Sequence, residues 1–206
     1  MKALRPLHLS SVSAVSSLFI TWCFCATPLI AADVIGLVLG ELERQVYTNI
    51  PDNTVTALTS SPKFPDSPDL VTVVSSFEAP SNVGDNYGQR LSGYLLPPVT
   101  GDYVFYIASD DQSMLFLSTD YDPARKRVIA YESAWRPPRM WLEPGPNGGT
   151  HICAPIRLEY GRSYYVEALH KEGGGGDNLA VTWQLPGSLP PLDGSDPIPG
   201  IRTRAG

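Results

Sequence analysis

Residues 101–118 read GDYVFYIASDDQSMLFLS, two apolar runs that meet at adjacent aspartates, Asp110 and Asp111. The first run carries Tyr103, Phe105 and Ile107 on one parity and Val104, Tyr106 and Ala108 on the other. A run apolar on both sides suits a central strand covered twice, or one whose aromatic residues face a groove. The second run, SMLFLS, resumes almost at once, so the aspartates sit at the tip of a strand-to-strand connection without a glycine or asparagine between them. Residue types alone leave two readings of that tip: a solvated turn, or two carboxylates sharing a cation. Calcium takes about six to eight oxygen ligands, with carboxylates prominent among them. Neighbouring side chains of an ordinary strand diverge to opposite faces. Sharing one ion therefore needs an unusual backbone between the two residues, such as a cis peptide bond.

The pattern extends in both directions. Strand-like runs recur as DLVTVVSSF, QRLSGYLL, RVIAY, PIRLEY, RSYYVEAL and NLAVTW, with a further one near IGLVLGEL, and glycine or proline separates them in PPVTGDY, EYGRSYY and GGGGDN. Short strands at this spacing predict an all-β fold, an antiparallel β-barrel or sandwich of about nine strands. Alternation puts Tyr164, Val166 and Ala168 on one face of their strand and Leu179, Val181 and Trp183 on one face of theirs, which predicts core faces. Only TVTALTSS suggests a helical turn.

Residues 1–32 begin with Lys2 and Arg5, continue through SVSAVSSLFITWCFCA and reach PLIAAD, the layout of a cleaved secretory signal. Cleavage at Ala31 or Ala32 would remove Cys23 and Cys25 and leave Cys153 alone, so the mature domain is expected to have no internal disulfide. The formal net charge of −6 becomes more negative once Lys2 and Arg5 are gone, which disfavours nucleic acid and anionic membranes as partners. Neutral ligands or cations fit better. A single domain is expected over residues 36–186, followed by a Pro/Gly-rich tail or linker at 187–206, GSLPPLDGSDPIPGIRTRAG.

Motifs for hydrolysis or zinc are missing: there is no His-Glu-x-x-His pair, no Gly-x-Ser-x-Gly elbow and no Cys/His spacing suited to zinc. TDYDPARK begins like a calcium loop but lacks its glycine and later glutamate, and it reads as a hairpin turn. Two other segments stand out. KEGGGGDN, residues 171–178, is either a flexible connection or a loop whose bare backbone approaches a ligand, with Glu172, Asp177 or Asn178 adding oxygens. AWRPPRMW holds Trp135 and Trp141, which either pack the loop down or stack on the apolar face of a sugar.

The blocks GDNYGQRLSGYLLPPVTGDYVFYIASDDQSMLFLSTDYDP, RVIAY and IRLEYGRSYYVEALHKEGGGGDNLAVTWQLP, taken in order, closely resemble the protective-antigen domain family, the PA-fourteen domain. The resemblance implies the same β-barrel or double-sheet fold. In the family's lectin members two adjacent aspartates joined by a cis peptide hold calcium, a second loop completes the shell, and the ion takes hydroxyls of a terminal sugar. It implies Asp110, Asp111 and Asn178 as calcium ligands, and His170, Lys171, Glu172, Gly174 and Asp177 of the second loop as residues around the ligand, beside which Trp135 is the aromatic candidate from the loop reading above. Yeast lectin members place an asparagine near the start of the second loop, where this chain has His170, Lys171 and Glu172. The function so implied is a secreted or cell-surface, calcium-dependent, non-catalytic carbohydrate-binding module whose partners are glycans or cell-surface polysaccharide. The alternatives are a spacer that holds neighbouring modules, or an accessory module of a glycan-active enzyme.

Overall fold

The computed structural model describes residues 40–143 and 150–200 and the backbone of residues 203 and 204. The expected leader, residues 1–32, and most of IGLVLGEL lie outside them. Among the described residues no helix is long and apolar enough to cross a membrane.

Strands form where the sequence alternates. They are β1 (Leu42–Tyr47), β2 (Leu70–Val74), β3 (Tyr87–Leu95), β4 (Gly101–Asp110) and β5 (Ser113–Leu117), then β6 (Arg127–Glu132), β7 (Ile156–Leu158), β8 (Tyr164–Glu172), β9 (Asn178–Gln184) and β10 (Thr203–Arg204). All pairings are antiparallel. One sheet runs β2-β1-β3-β8-β5-β6, with β10 against the end of β3, and the other runs β7-β4-β9. The sheets face each other without closing on themselves, so of the two expected architectures the molecule adopts the sandwich. TDYDPARK forms the β5–β6 connection with a short 3-10 turn at Pro123–Arg125.

Among the described residues the first strand is LERQVY, which shares only Leu42 with IGLVLGEL. Its polar residues hide it: Glu43 and Gln45 lie on one parity, while Leu42, Arg44 and Val46 are buried on the other.

The main core lies between the sheets and collects Leu91, Phe105, Ile107, Leu115, Val166, Ala168, Leu179 and Val181. The other face of β4 is covered too, since Tyr106 and Ala108 pack with Trp141 and Ala180. The doubly apolar run is therefore a central strand covered twice, and Trp141 is a packing residue. On the outer side of the larger sheet, Leu169 packs with Val55 and Leu58 of α1 (Val55–Thr59). Thr54 caps that helix by accepting from the Ala57 amide, and Gln112 Oε1, just past the aspartates, accepts from the Val55 amide at 2.8 Å. The helical turn is thus pinned beside the 110–112 tip.

Residues 187–200 do not form a detached tail. Ile198 is fully buried in the main core; its amide donates to the Val181 carbonyl and its carbonyl accepts from the Phe77 amide, each at 2.9 Å. Asp193 Oδ1 accepts from the Trp141 and Leu142 amides, and the Ser195 carbonyl accepts from the Trp141 indole at 3.1 Å. Composition obscured this because one isoleucine and a few edge hydrogen bonds anchor a stretch without strand periodicity. Ile198→Ala should lower the free energy of unfolding in urea by about 2–5 kcal/mol, the range for emptying a packed isoleucine site. A detached tail would show almost no change.

Candidate metal and ligand site

Three strand ends from both sheets meet at one end of the sandwich. β4 ends at Asp110, β8 ends at Glu172, and β9 starts at Asn178 directly opposite Asp110. The Asp110–Asp111 peptide bond is cis. One carboxylate oxygen from each of Asp110, Asp111 and Glu172 lies within 4.8 Å of the other two. Glu172 is fully buried, and its Oε2 accepts from the Asp111 amide at 3.1 Å. Its Oε1 has no hydrogen-bond partner, nor does the buried Oδ1 of Asn178. Buried acceptors in native structures are almost always satisfied. An all-oxygen set with orphaned acceptors is what a hard divalent cation such as calcium satisfies, and it contains no nitrogen or sulfur to favour zinc.

The electrostatics agree. Burial, and then the charges of Asp111 and Asp177, push the Asp110 carboxyl up to about 6. Burial, and then Asp111 and Asp110, push Glu172 up to about 7. Each group resists ionising because it is buried and because its neighbours are also carboxylates, and a cation relieves the second cause.

A buried relay fixes the backbone behind Asp110. Arg44 Nε donates to Gln89 Oε1 at 2.6 Å, Gln89 Nε2 lies 2.9 Å from His170 Nδ1, and His170 Nε2 lies 2.7 Å from the Asp110 carbonyl. Arginine can only donate and a carbonyl can only accept, so both ends dictate the polarity of the chain. Gln89 presents its amide hydrogen to Nδ1, and His170 is the neutral tautomer carrying its proton on Nε2. Burial holds the His170 imidazole down to about 4, which keeps it neutral.

The glycine loop is built by close approach. A Cβ on Gly173 would lie 2.9 Å from Asn53 Cβ and 3.3 Å from Asp111 Oδ2, so only glycine fits there; its amide donates to the same Oδ2 at 3.1 Å. Gly175 has φ +120, a conformation that side chains rarely adopt, and its amide lies 3.3 Å from Asp85 Oδ1. Loop 80–86 forms a further wall. Asp177 Oδ2 accepts from the Val83 and Gly84 amides, and the Asn82 amide donates to the Asp177 carbonyl. Across the site the backbone of Trp135 bridges to Asp110, while its side chain is 48% exposed. The strap carrying Trp135 is held by Arg136, whose amide donates to the Ser109 carbonyl and whose carbonyl accepts from Asn178 Nδ2 at 3.0 Å. Arg136 Nε pairs at 2.8 Å with Glu132, both side chains being fully buried.

A family model for the PA14 domain matches residues 43–196. The chain belongs to the PA14 domain family. Over 153 residues, 72% of its length, this PA14 domain is 33% identical to N-acetyl-beta-glucosaminyl-glycoprotein 4-beta-N-acetylgalactosaminyltransferase 1 of Mus musculus, of which it spans 14%. It is 31% identical over 98 residues, 42% of its length, to fibrocystin of Canis lupus familiaris, of which the match covers 2%. Among solved structures, the PA14 sugar-binding domain from an RTX adhesin superposes with a TM-score of 0.57 at 13% identity, covering 82% of this chain and 99% of that one. The A domain of epithelial adhesin 6 from Candida glabrata, in complex with Galb1-3GlcNAc, gives 0.52 at 15% identity over 80% of this chain and 86% of that one. These two structural likenesses establish the fold.

The PA14 domain's second loop divides its residues between faces. The strand pleat continues through β8 to residue 172, placing His170 and Glu172 on the parity of core residue Ala168, and Lys171 on the parity of Leu169 toward α1. Lys171 is fully buried, its ammonium donating to the carbonyls of Asp52 and Glu172. His170 and Lys171 are therefore both buried, not exposed beside the site; the first positions Asp110 and the second anchors the 52–54 turn. Glu172 is likewise buried, and its carboxylate clusters with those of the two aspartates. Asp177, which is buried, holds loop 80–86, while Gly174 and Trp135 are exposed. Gln89, Arg44, the Glu132–Arg136 pair and loop 80–86 escaped the sequence reading because they lie far along the chain from the residues they serve.

With Glu172 raised to about 7, metal-free native protein binds a proton near neutrality that the unfolded chain, at an ordinary carboxylate pKa, does not. This contribution to stability is present at low pH and lost as pH rises through about 7. In chelator, Glu172→Gln should be more stable than the parent at pH 8, and the advantage should vanish near pH 5. Urea denaturation at the two pH values measures it.

Proposed function

We propose that this PA14 domain is a non-catalytic, calcium-dependent carbohydrate-binding module of a secreted or cell-surface protein. The observation that carries the reading is the convergence of Asp110, Asp111 and Glu172 around a buried, unpartnered Glu172 oxygen. In this reading those three carboxylates and Asn178 Oδ1 hold the ion. The exposed crest at Gly174 and the Trp135 side chain flank the approach, and vicinal hydroxyls of a sugar replace water on the ion. The structural neighbours described as sugar-binding, or bound to Galb1-3GlcNAc, support a carbohydrate ligand. The glycosyltransferase relative, of which this chain spans 14%, supports a place as an accessory module beside a catalytic domain. A single shallow site with millimolar affinity is worth only about −4 kcal/mol, so retention on a surface would depend on several copies.

Calorimetric titration of the chain with calcium, followed by a glycan array with and without chelator, tests this reading. Asp110→Asn and Asp111→Asn should each weaken calcium binding by more than about tenfold, because each removes a charged oxygen ligand. Gln89→Leu should weaken it by about tenfold to a hundredfold through the relay alone, the usual cost of losing an outer-layer partner. Calcium affinity should also fall as pH drops from 7.5 to 5.5, since protons compete for Glu172 and Asp110. Glycan binding that survives chelator would overturn the calcium requirement, and calcium binding with an empty array would favour a structural spacer.

A further inference from the structure

We propose that the metal tip of this PA14 domain discriminates by charge, accepting uncharged sugars and rejecting sugars that carry a carboxylate or sulfate. This inference rests on the carbohydrate reading above and concerns which ligands that site takes.

The acidic groups outnumber what one ion neutralises. Asp110, Asp111 and Glu172 converge within 4.8 Å. Asp177 is near enough to act on both Asp110 and Glu172. Exposed Asp85 is contacted by the Gly175 amide, and its carboxyl carbon would lie 3.8 Å from a Cβ on Gly174, which puts it on the rim of the crest. Exposed Asp52 adjoins Asn53, the neighbour of Gly173. Of these six carboxylates a divalent cation offsets two charges, and buried Lys171 and Arg44, whose charge acts on Asp177, offset one each, which leaves about two negative charges around the ion.

The nearby bases do not restore the balance. Lys171 turns its ammonium inward to the Asp52 and Glu172 carbonyls. Arg44 is buried with its charge already set against Asp177, and fully buried Arg136 is paired with Glu132. Arg139, farther along the strap, is held by Glu78 and Asp196. Trp135 adds an apolar wall without charge. The consequence opposes what the ion alone suggests. A sugar carboxylate is intrinsically a better calcium ligand than a hydroxyl, yet here it would enter a surplus of like charge with no base beside the site, among the described residues, to receive it. A neutral diol meets no such repulsion.

The test uses the calcium-saturated full chain at pH 7.5 and matched pairs of probes: methyl β-galactoside with methyl β-galacturonide, methyl β-glucoside with methyl β-glucuronide, and N-acetylgalactosamine with its 6-sulfate. Titration followed by NMR should show the neutral member of any recognised pair binding at least about tenfold tighter than its acidic counterpart at low salt. Because exposed charges are screened, the ratio should shrink several-fold at about 0.3 M salt. Asp85→Asn and Asp52→Asn, two independent rim changes, should each narrow the ratio at low salt. Equal or tighter binding of the acidic members would overturn the proposal. So would a ratio unmoved by salt and by both variants, which would mean exclusion by shape. If calcium binds but all six probes fail, the carbohydrate reading falls and this inference falls with it.

Discussion

The mutual repulsion of Asp110, Asp111 and Glu172 is the constraint around which one end of the sandwich is organised. Three carboxylates within 4.8 Å, one of them fully buried, would separate unless the backbone beneath them were fixed. It is fixed from both sheets. The register of β4 on β9 sets Asp110 opposite Asn178, and the register of β3 on β8 sets Tyr87 opposite Glu172. A slip of β8 by one residue would exchange Glu172 for Lys171 and put an ammonium where an oxygen is needed. The long hydrophobic pattern of β8, buried at all nine positions, therefore controls the chemistry at its end.

Rigidity at the tip also comes from a polar chain whose direction is forced. Arg44, Gln89 and His170 lie on adjacent strands β1, β3 and β8, with 6%, 0% and 0% exposure, so each unsatisfied group would be costly. Because every donor finds its acceptor, the Asp110 carbonyl is held without any exposed group taking part. Ser109 adds a second tie, its hydroxyl lying 2.7 Å from both the Asp111 carbonyl and Ser113 Oγ. The aspartates are thus positioned through their backbone, and their carboxylates remain available.

Much of this was legible in the sequence, and the limits have physical causes. Period-two alternation exposes the core faces of β8 and β9, while the doubly apolar run leaves β4 as either a central strand or one facing a groove, which the packing of Tyr106 and Ala108 against Trp141 decides. The aspartate pair pointed to the tip because its flanking strands fixed where it lay. The apolar run RSYYVEAL stops at Leu169, which hides the burial of residues 170–172; carrying the alternation three residues further separates Lys171 from His170 and Glu172. The Glu132–Arg136 pair had no such signal. Its burial depends on a strap that crosses from β6 to β9, and loop 80–86 meets Asp177 only after about ninety residues of intervening chain. Pairings of that kind depend on topology, which local pattern does not carry.

The raised carboxyl groups invite comparison with an acid–base pair, since an ionised aspartate beside a protonated glutamate is the arrangement many hydrolases use. The causes of the elevation argue otherwise. After burial, Asp110 is raised by Asp111 and Asp177, and Glu172 by Asp111 and Asp110, so the perturbation is shared among acids. A catalytic pair needs environments that push its two members apart, one kept charged and the other neutral. Here both are pushed the same way, and the nearest imidazole, His170, is neutral, buried and committed to a carbonyl. A divalent ion would lower both carboxyls together by supplying the positive charge that their neighbours lack. Perturbed acidity at this end of the molecule is thus better understood as stored demand for a cation than as proton-transfer machinery.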